Sequence, residues 1–140
     1  YAQATAAYQT VTELPGADVT TRSQAKLGLA RVLAGQADTE GETDVSERFL
    51  QQALDHCLEI VFGGNLRSAN EKMAPFWVKE AGLMAGRLAK RLGQAEQERK
   101  LYTRLAEELP TMPLWQVRLD ALNGKTNTPV APTPPQPPTP

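Results

Sequence analysis

One short pattern occurs twice in this chain: an apolar residue and a glycine, followed seven residues later by a second glycine. It appears as Leu27-Gly28 with Gly35 and as Ala85-Gly86 with Gly93. In both copies the first glycine lies midway along a stretch whose apolar residues recur at helical spacing. There glycine costs about 1 kcal/mol against alanine, which makes sense where another backbone must approach closely. The second glycine falls where a helix is expected to stop and the chain to turn back. A glycine inside, a glycine at the end and a second helix beyond describe a helical hairpin, and its duplication points to a repeat.

The surrounding pattern is helical throughout. Ala4, Tyr8 and Val11 form one stripe within a helix from Ala2 to Leu14, which Pro15-Gly16 stops. Asp18 is the expected N-cap of a second helix that carries Ala25, Leu29, Val32 and Leu33 and ends near Ala34. The polar segment Gln36 to Thr43 reads as a loop, and Asp44 with Glu47 as a capping box for a third helix. That helix presents Phe49, Leu50, Ala53, Leu54, Cys57, Leu58, Val61 and Phe62, and Gly63-Gly64 closes it. Asn65 to Ala74 is expected to be a turn, because Pro75 suits the first turn of a fourth helix running to Leu92. A fifth helix, about Ala95 to Leu109, turns Leu101, Tyr102, Leu105 and Leu109 inward. A sixth, Leu114 to Leu122, presents Leu114, Val117, Leu119 and Leu122. No segment alternates at period two with β-branched residues, so no sheet is expected. Seven of the eleven prolines then lie beyond Gly124, and residues 124–140 read as a disordered tail of polyproline II character after a domain of residues 1–123.

These residues resemble the tetratricopeptide repeat, a helix-turn-helix unit of about 34 residues. Gly86, Gly93, Tyr102, Leu105 and Pro110 fall where the family favours a small residue, a glycine, an aromatic, a small or apolar residue and a proline. Glu98 and Gly82 depart from the pattern, standing where alanine and a bulky residue are usual. In the other copy Leu27, Gly28 and Gly35 fit, and after an insert so do Ala53, Cys57 and Ile60. Ala4, Tyr8 and Val11 match the second helix of a preceding unit. The resemblance implies an all-α fold of two to three irregular hairpins wound as a right-handed superhelix, like the divergent repeats common in bacteria. It also implies a concave groove lined by the first helix of each unit. Carried over, the groove residues are Glu80, Leu83, Arg87, Lys90 and Arg91 in one copy, and Arg22, Ala25, Leu29, Val32 and Leu33 in the other. That groove has an apolar half and a basic half, suited to a protein or peptide segment with apolar anchors and an acidic end. The competing reading of Arg87, Lys90 and Arg91 is a solvated face whose positive charge complements the helix dipole.

Function classes narrow from composition. Fifteen basic against sixteen acidic residues leave a net charge of -1, without the basic footprint of a nucleic-acid binder. No apolar run is long enough to span a bilayer. The single Cys57 excludes an intramolecular disulfide. His56 and Cys57 are neighbours that point apart on a helix, so they form neither a metal site nor a nucleophile–base pair, and Cys57 is expected in the core. Phe76 and Trp77 are expected to pack on the preceding hairpin. No set of residues supplies nucleophile, base and stabiliser together, so neither an enzyme nor a cofactor site is expected. Tail prolines at three-residue offset, such as Pro132 and Pro135, fit a proline-recognition groove, but a solvated spacer is the simpler reading. The expectation is a non-catalytic interaction scaffold within a longer protein, with a structural spacer or oligomerisation element as the alternative. A bacterial periplasmic or envelope location and a cytoplasmic one are both compatible with it.

Overall fold

The computed structural model describes residues 1–124, so the expected disordered tail lies outside the described residues apart from Gly124. Among them are six helices and no strand: α1 (Ala2–Glu13), α2 (Val19–Glu40), α3 (Asp44–Val61), α4 (Pro75–Arg91), α5 (Ala95–Glu108) and α6 (Leu114–Leu122). The chain is all-α over this span. No helix in it is long and apolar enough to cross a membrane.

Each helix packs on its neighbours in sequence, with lesser contact between α2 and α4 and between α3 and α5. Pairings along the helices show that α1 and α2, α2 and α3, and α4 and α5 run antiparallel. In the first hairpin Tyr1 lies over Gly35 and Tyr8 over Gly28. In α2–α3, Ser46 Oγ donates to the Ala37 carbonyl at one end, and Lys26 pairs with Glu59 at the other. In α4–α5, Leu105 lies over Gly82 and Tyr102 over Gly86. A methyl group at Gly86 would stand 2.5 Å from Tyr102 Oη, and one at Gly28 would stand 2.5 Å from the ring of Tyr8. Both mid-helix glycines therefore serve close approach, to an aromatic ring rather than to a backbone.

The second glycines diverge. Gly93 has φ +69° and ends the α4 region as expected, its conformation one that a Cβ disfavours. Gly35 does not end α2, which continues through the segment expected to be a loop and stops before Gly41, at φ +71°. Continuation buries Ala37 completely against α3 and lets its carbonyl accept from Ser46 Oγ at 3.1 Å, and the two gains together offset one interior glycine. The cap of α3 is likewise displaced by one residue. Thr43 Oγ1, not an Asp44 carboxylate, accepts from Ser46 N–H at 3.2 Å, and Asp44 and Glu47 stand in the first turn, where the dipole favours them. Asp18 caps α2 as expected, accepting from Thr21 N–H at 2.7 Å, which holds its carboxyl below the usual range.

The core runs from α2 to α6 through Leu27, Leu54, Cys57, Ile60, Leu101 and Leu105. Trp115 is wholly buried although the periodicity of α6 favours Leu114 and Val117; Val117 faces solvent. Phe76 also stays exposed, edge-on to the half-buried Trp77 with ring centroids 4.9 Å apart, instead of packing on the preceding hairpin. Helix α1 buries none of its residues. Arg67, in the segment between α3 and α4, fastens its end by donating to the carbonyls of Thr12, Leu14 and Pro15.

Candidate functional site

The residues carried over from the repeat pattern separate into three groups. Arg22 and Leu29 are buried, at 2% exposure each, rather than lining a groove. Arg22 Nη2 donates to both oxygens of Glu71, at 2.7 and 2.8 Å, and to the carbonyl of Asn65, while Nη1 donates to the carbonyl of Ala17. Asn65 Nδ2 donates in turn to Ser23 Oγ at 2.8 Å. A buried guanidinium has to find such acceptors, and here all but the Ala17 carbonyl come from a loop far along the chain. The Arg22 guanidinium and the backbone N–H of Arg67 hold the Glu71 carboxyl below its usual range. This cluster ties the α3–α4 connection to the start of α2 and is structural.

Glu80, Leu83 and Arg91 do not meet in one cleft, and Arg91 lines a separate one of about 580 Å³ beside Asp38, Thr43 and Glu47. Leu83 is half-buried against the core, and Glu80 stands 3.6 Å from Lys79. Arg91 Nη2 pairs with Asp38 at 2.8 Å, joining the end of α4 to the end of α2.

Arg87 and Lys90 remain, and they share a cleft of about 300 Å³ with Gly86, Glu98, Tyr102, Arg118, Ala121 and Leu122. Three helices build it. Helix α4 carries Arg87 and Lys90 on exposed positions of its last turns. Because Gly86 has no side chain, Tyr102 of α5 lies flush across α4 and forms the floor. Its ring stacks on Trp115 of α6 at 6.4 Å, and the Arg118 guanidinium lies 5.8 Å from the Tyr102 centroid and 6.0 Å from that of Trp115. Tyr102 Oη donates to Glu98 Oε2 at 3.3 Å. Burial and the nearby Glu98 carboxylate push the tyrosine hydroxyl above its usual range, so it keeps its proton and remains a donor. Among the described residues, Arg87, Lys90 and Arg118 are in no ion pair.

The cleft thus carries three cations, one buried carboxylate and an aromatic floor. It can attract an anionic group and hold it in hydrogen-bond geometry. The positions carried over from the repeat resemblance include Arg87 and Lys90, and they miss Arg118, Glu98 and Tyr102. Two signals were available. Arg118 lies three residues after Trp115, on the same helix face, and Glu98 is a charged residue where the resemblance to the repeat pattern would imply alanine.

Elsewhere, Cys57 is fully buried and its thiol is pushed up to about 12 by burial, so it is no nucleophile. His56 is half-buried, and its pKa is lowered first by that burial and then by Lys26. Compared with known proteins, the chain matches no family model, no curated sequence and no solved structure.

Proposed function

We propose that this chain is a non-catalytic protein-binding module of two to three irregular tetratricopeptide-like hairpins in a right-handed superhelix, and that it seats an acidic segment of another protein in the α4–α5–α6 cleft. The observation that carries the reading is the convergence of Arg87, Lys90 and Arg118, free of internal carboxylate partners among the described residues, on one aromatic-floored concavity. The repeat architecture is supported by the Gly86–Tyr102 contact inside one hairpin, and by the contact of alternate helices that stacked hairpins require. Rigid helices present the cations at little ordering cost, and their field speeds encounter with an acidic partner.

The test is fluorescence anisotropy with a labelled acidic peptide carrying one aromatic or leucine anchor. Binding that weakens with salt and is lost in Arg87→Glu/Lys90→Glu/Arg118→Glu, at unchanged helicity, is the expected result. Equal binding by the triple variant overturns the reading. The exposed Phe62 and Phe76 favour a second reading, an oligomerisation or spacer element. Concentration-dependent sedimentation that is abolished by Phe62→Ser/Phe76→Ser would support it.

A further inference from the structure

Glu98 is the anomaly of the cleft. It is 4% exposed, the one hydrogen bond of its carboxylate is the 3.3 Å contact from Tyr102, and neither Arg87, Lys90 nor Arg118 pairs with it. A carboxylate this buried ordinarily gathers donors or cations around it. Here three cations line the same cleft without engaging it. A ligand entering the cleft would remove the remaining water from Glu98, which is unfavourable unless the ligand brings a donor of its own.

Resting on the reading above, we infer that the cleft selects a mixed-charge segment of a partner protein, in which an acidic side chain meets Arg87, Lys90 and Arg118 while a neighbouring lysine or arginine meets Glu98. Glu98 is then the specificity-determining residue, and it acts by rejection. A purely acidic segment gains more long-range attraction from three cations, yet it leaves Glu98 covered and unpaired. Specificity of this kind comes from an unsatisfied charge in the wrong complex. It also explains why a carboxylate stands where the repeat pattern favours alanine, a position at which a small apolar residue would leave the cleft uniformly basic.

The experiment compares two labelled peptides of equal length with the same aromatic anchor, one alternating glutamate and lysine and one all-glutamate, at near-physiological salt. The unmodified protein is expected to bind the alternating peptide about tenfold more tightly, the scale of one charge-assisted hydrogen bond. In Glu98→Gln, whose amide oxygen still accepts from Tyr102 Oη, the preference should reverse toward the all-glutamate peptide. Equal or tighter binding of the all-glutamate peptide by the unmodified protein overturns the inference and leaves the binding module standing. Binding of neither peptide overturns both. The peptide comparison in the unmodified protein requires no variant to fold. Displacement of both peptides by low-millimolar inorganic phosphate would make the cleft a simple anion site and would also sink the inference.

Discussion

Gly82→Ala is the sharpest probe of the packing between α4 and α5. In a helix interior the exchange is worth about 1 kcal/mol in favour of alanine. At this position the new methyl would stand 2.7 and 2.8 Å from the two Cδ atoms of Leu105 and 3.3 Å from its Cγ. Leu105 is completely buried, so it has no vacant space to rotate into. Overpacking of this kind costs about 1–3 kcal/mol. The two effects oppose, and steric overlap wins, leaving Gly82→Ala destabilised by about 1 kcal/mol, or about 3–5 °C in Tm for a chain of this size. The decisive comparison is made in a Leu105→Ala background, which itself loses about 2–5 kcal/mol. With the leucine methyls gone the overlap disappears and the alanine side chain enters the vacated volume. Gly82→Ala should then stabilise by about 1 kcal/mol. Urea unfolding followed by far-ultraviolet circular dichroism, with all four proteins in the same sucrose concentration, measures the cycle. The same sign of change in both backgrounds would refute the assigned contact, as would a gain in stability in the unmodified background.

Three further outcomes follow from the buried cluster, the core thiol and the outer helix. The Glu71 carboxyl is depressed in the folded chain relative to 4.5, so its contribution to stability is present above that pH and fades as pH falls through the folded value. Acid titration of unfolding should therefore be shallower for Glu71→Gln than for the unmodified protein, and parallel curves would remove Glu71 from the account. Cys57, with its thiol near 12 and no exposed surface, should resist a thiol reagent at pH ~8 until urea opens the core, and prompt labelling in the native protein would contradict the burial. Helix α1 has no fully buried residue, so its amides should exchange before those of α2 to α5. Arg67→Ala, which removes donors from the carbonyls of Thr12, Leu14 and Pro15, should accelerate that exchange severalfold, and unchanged exchange would mean that Arg67 does not hold α1.

Helix content was legible in the sequence because it is a local property. Pro75 and Asp18 mark helix starts by chemistry that acts within one turn, and Leu101, Tyr102 and Leu105 mark an inner face by spacing alone. Arg87 and Lys90 are grouped by the repeat resemblance, and they stand one turn apart on α4. The cleft was not legible as a whole, because Arg118 and Tyr102 reach it from separate helices whose approach is set by packing.

The limit shows most plainly in the repeated glycine pattern. Gly28 and Gly86 have the same part in both copies, since an interior glycine can be tolerated wherever a ring crosses it, and Tyr8 and Tyr102 do so. Gly35 and Gly93 share a spacing but not a fate. Whether a helix stops at a glycine turns on about 1 kcal/mol of local preference, which one buried methyl group and one added hydrogen bond together can offset. After Gly35 the chain can seat Ala37 against α3 and so continues, while after Gly93 it turns into α5. Arg22 makes the same point. Helical spacing assigns it a face, but its partner Glu71 is 49 residues away, and only the folded chain brings the two charges together.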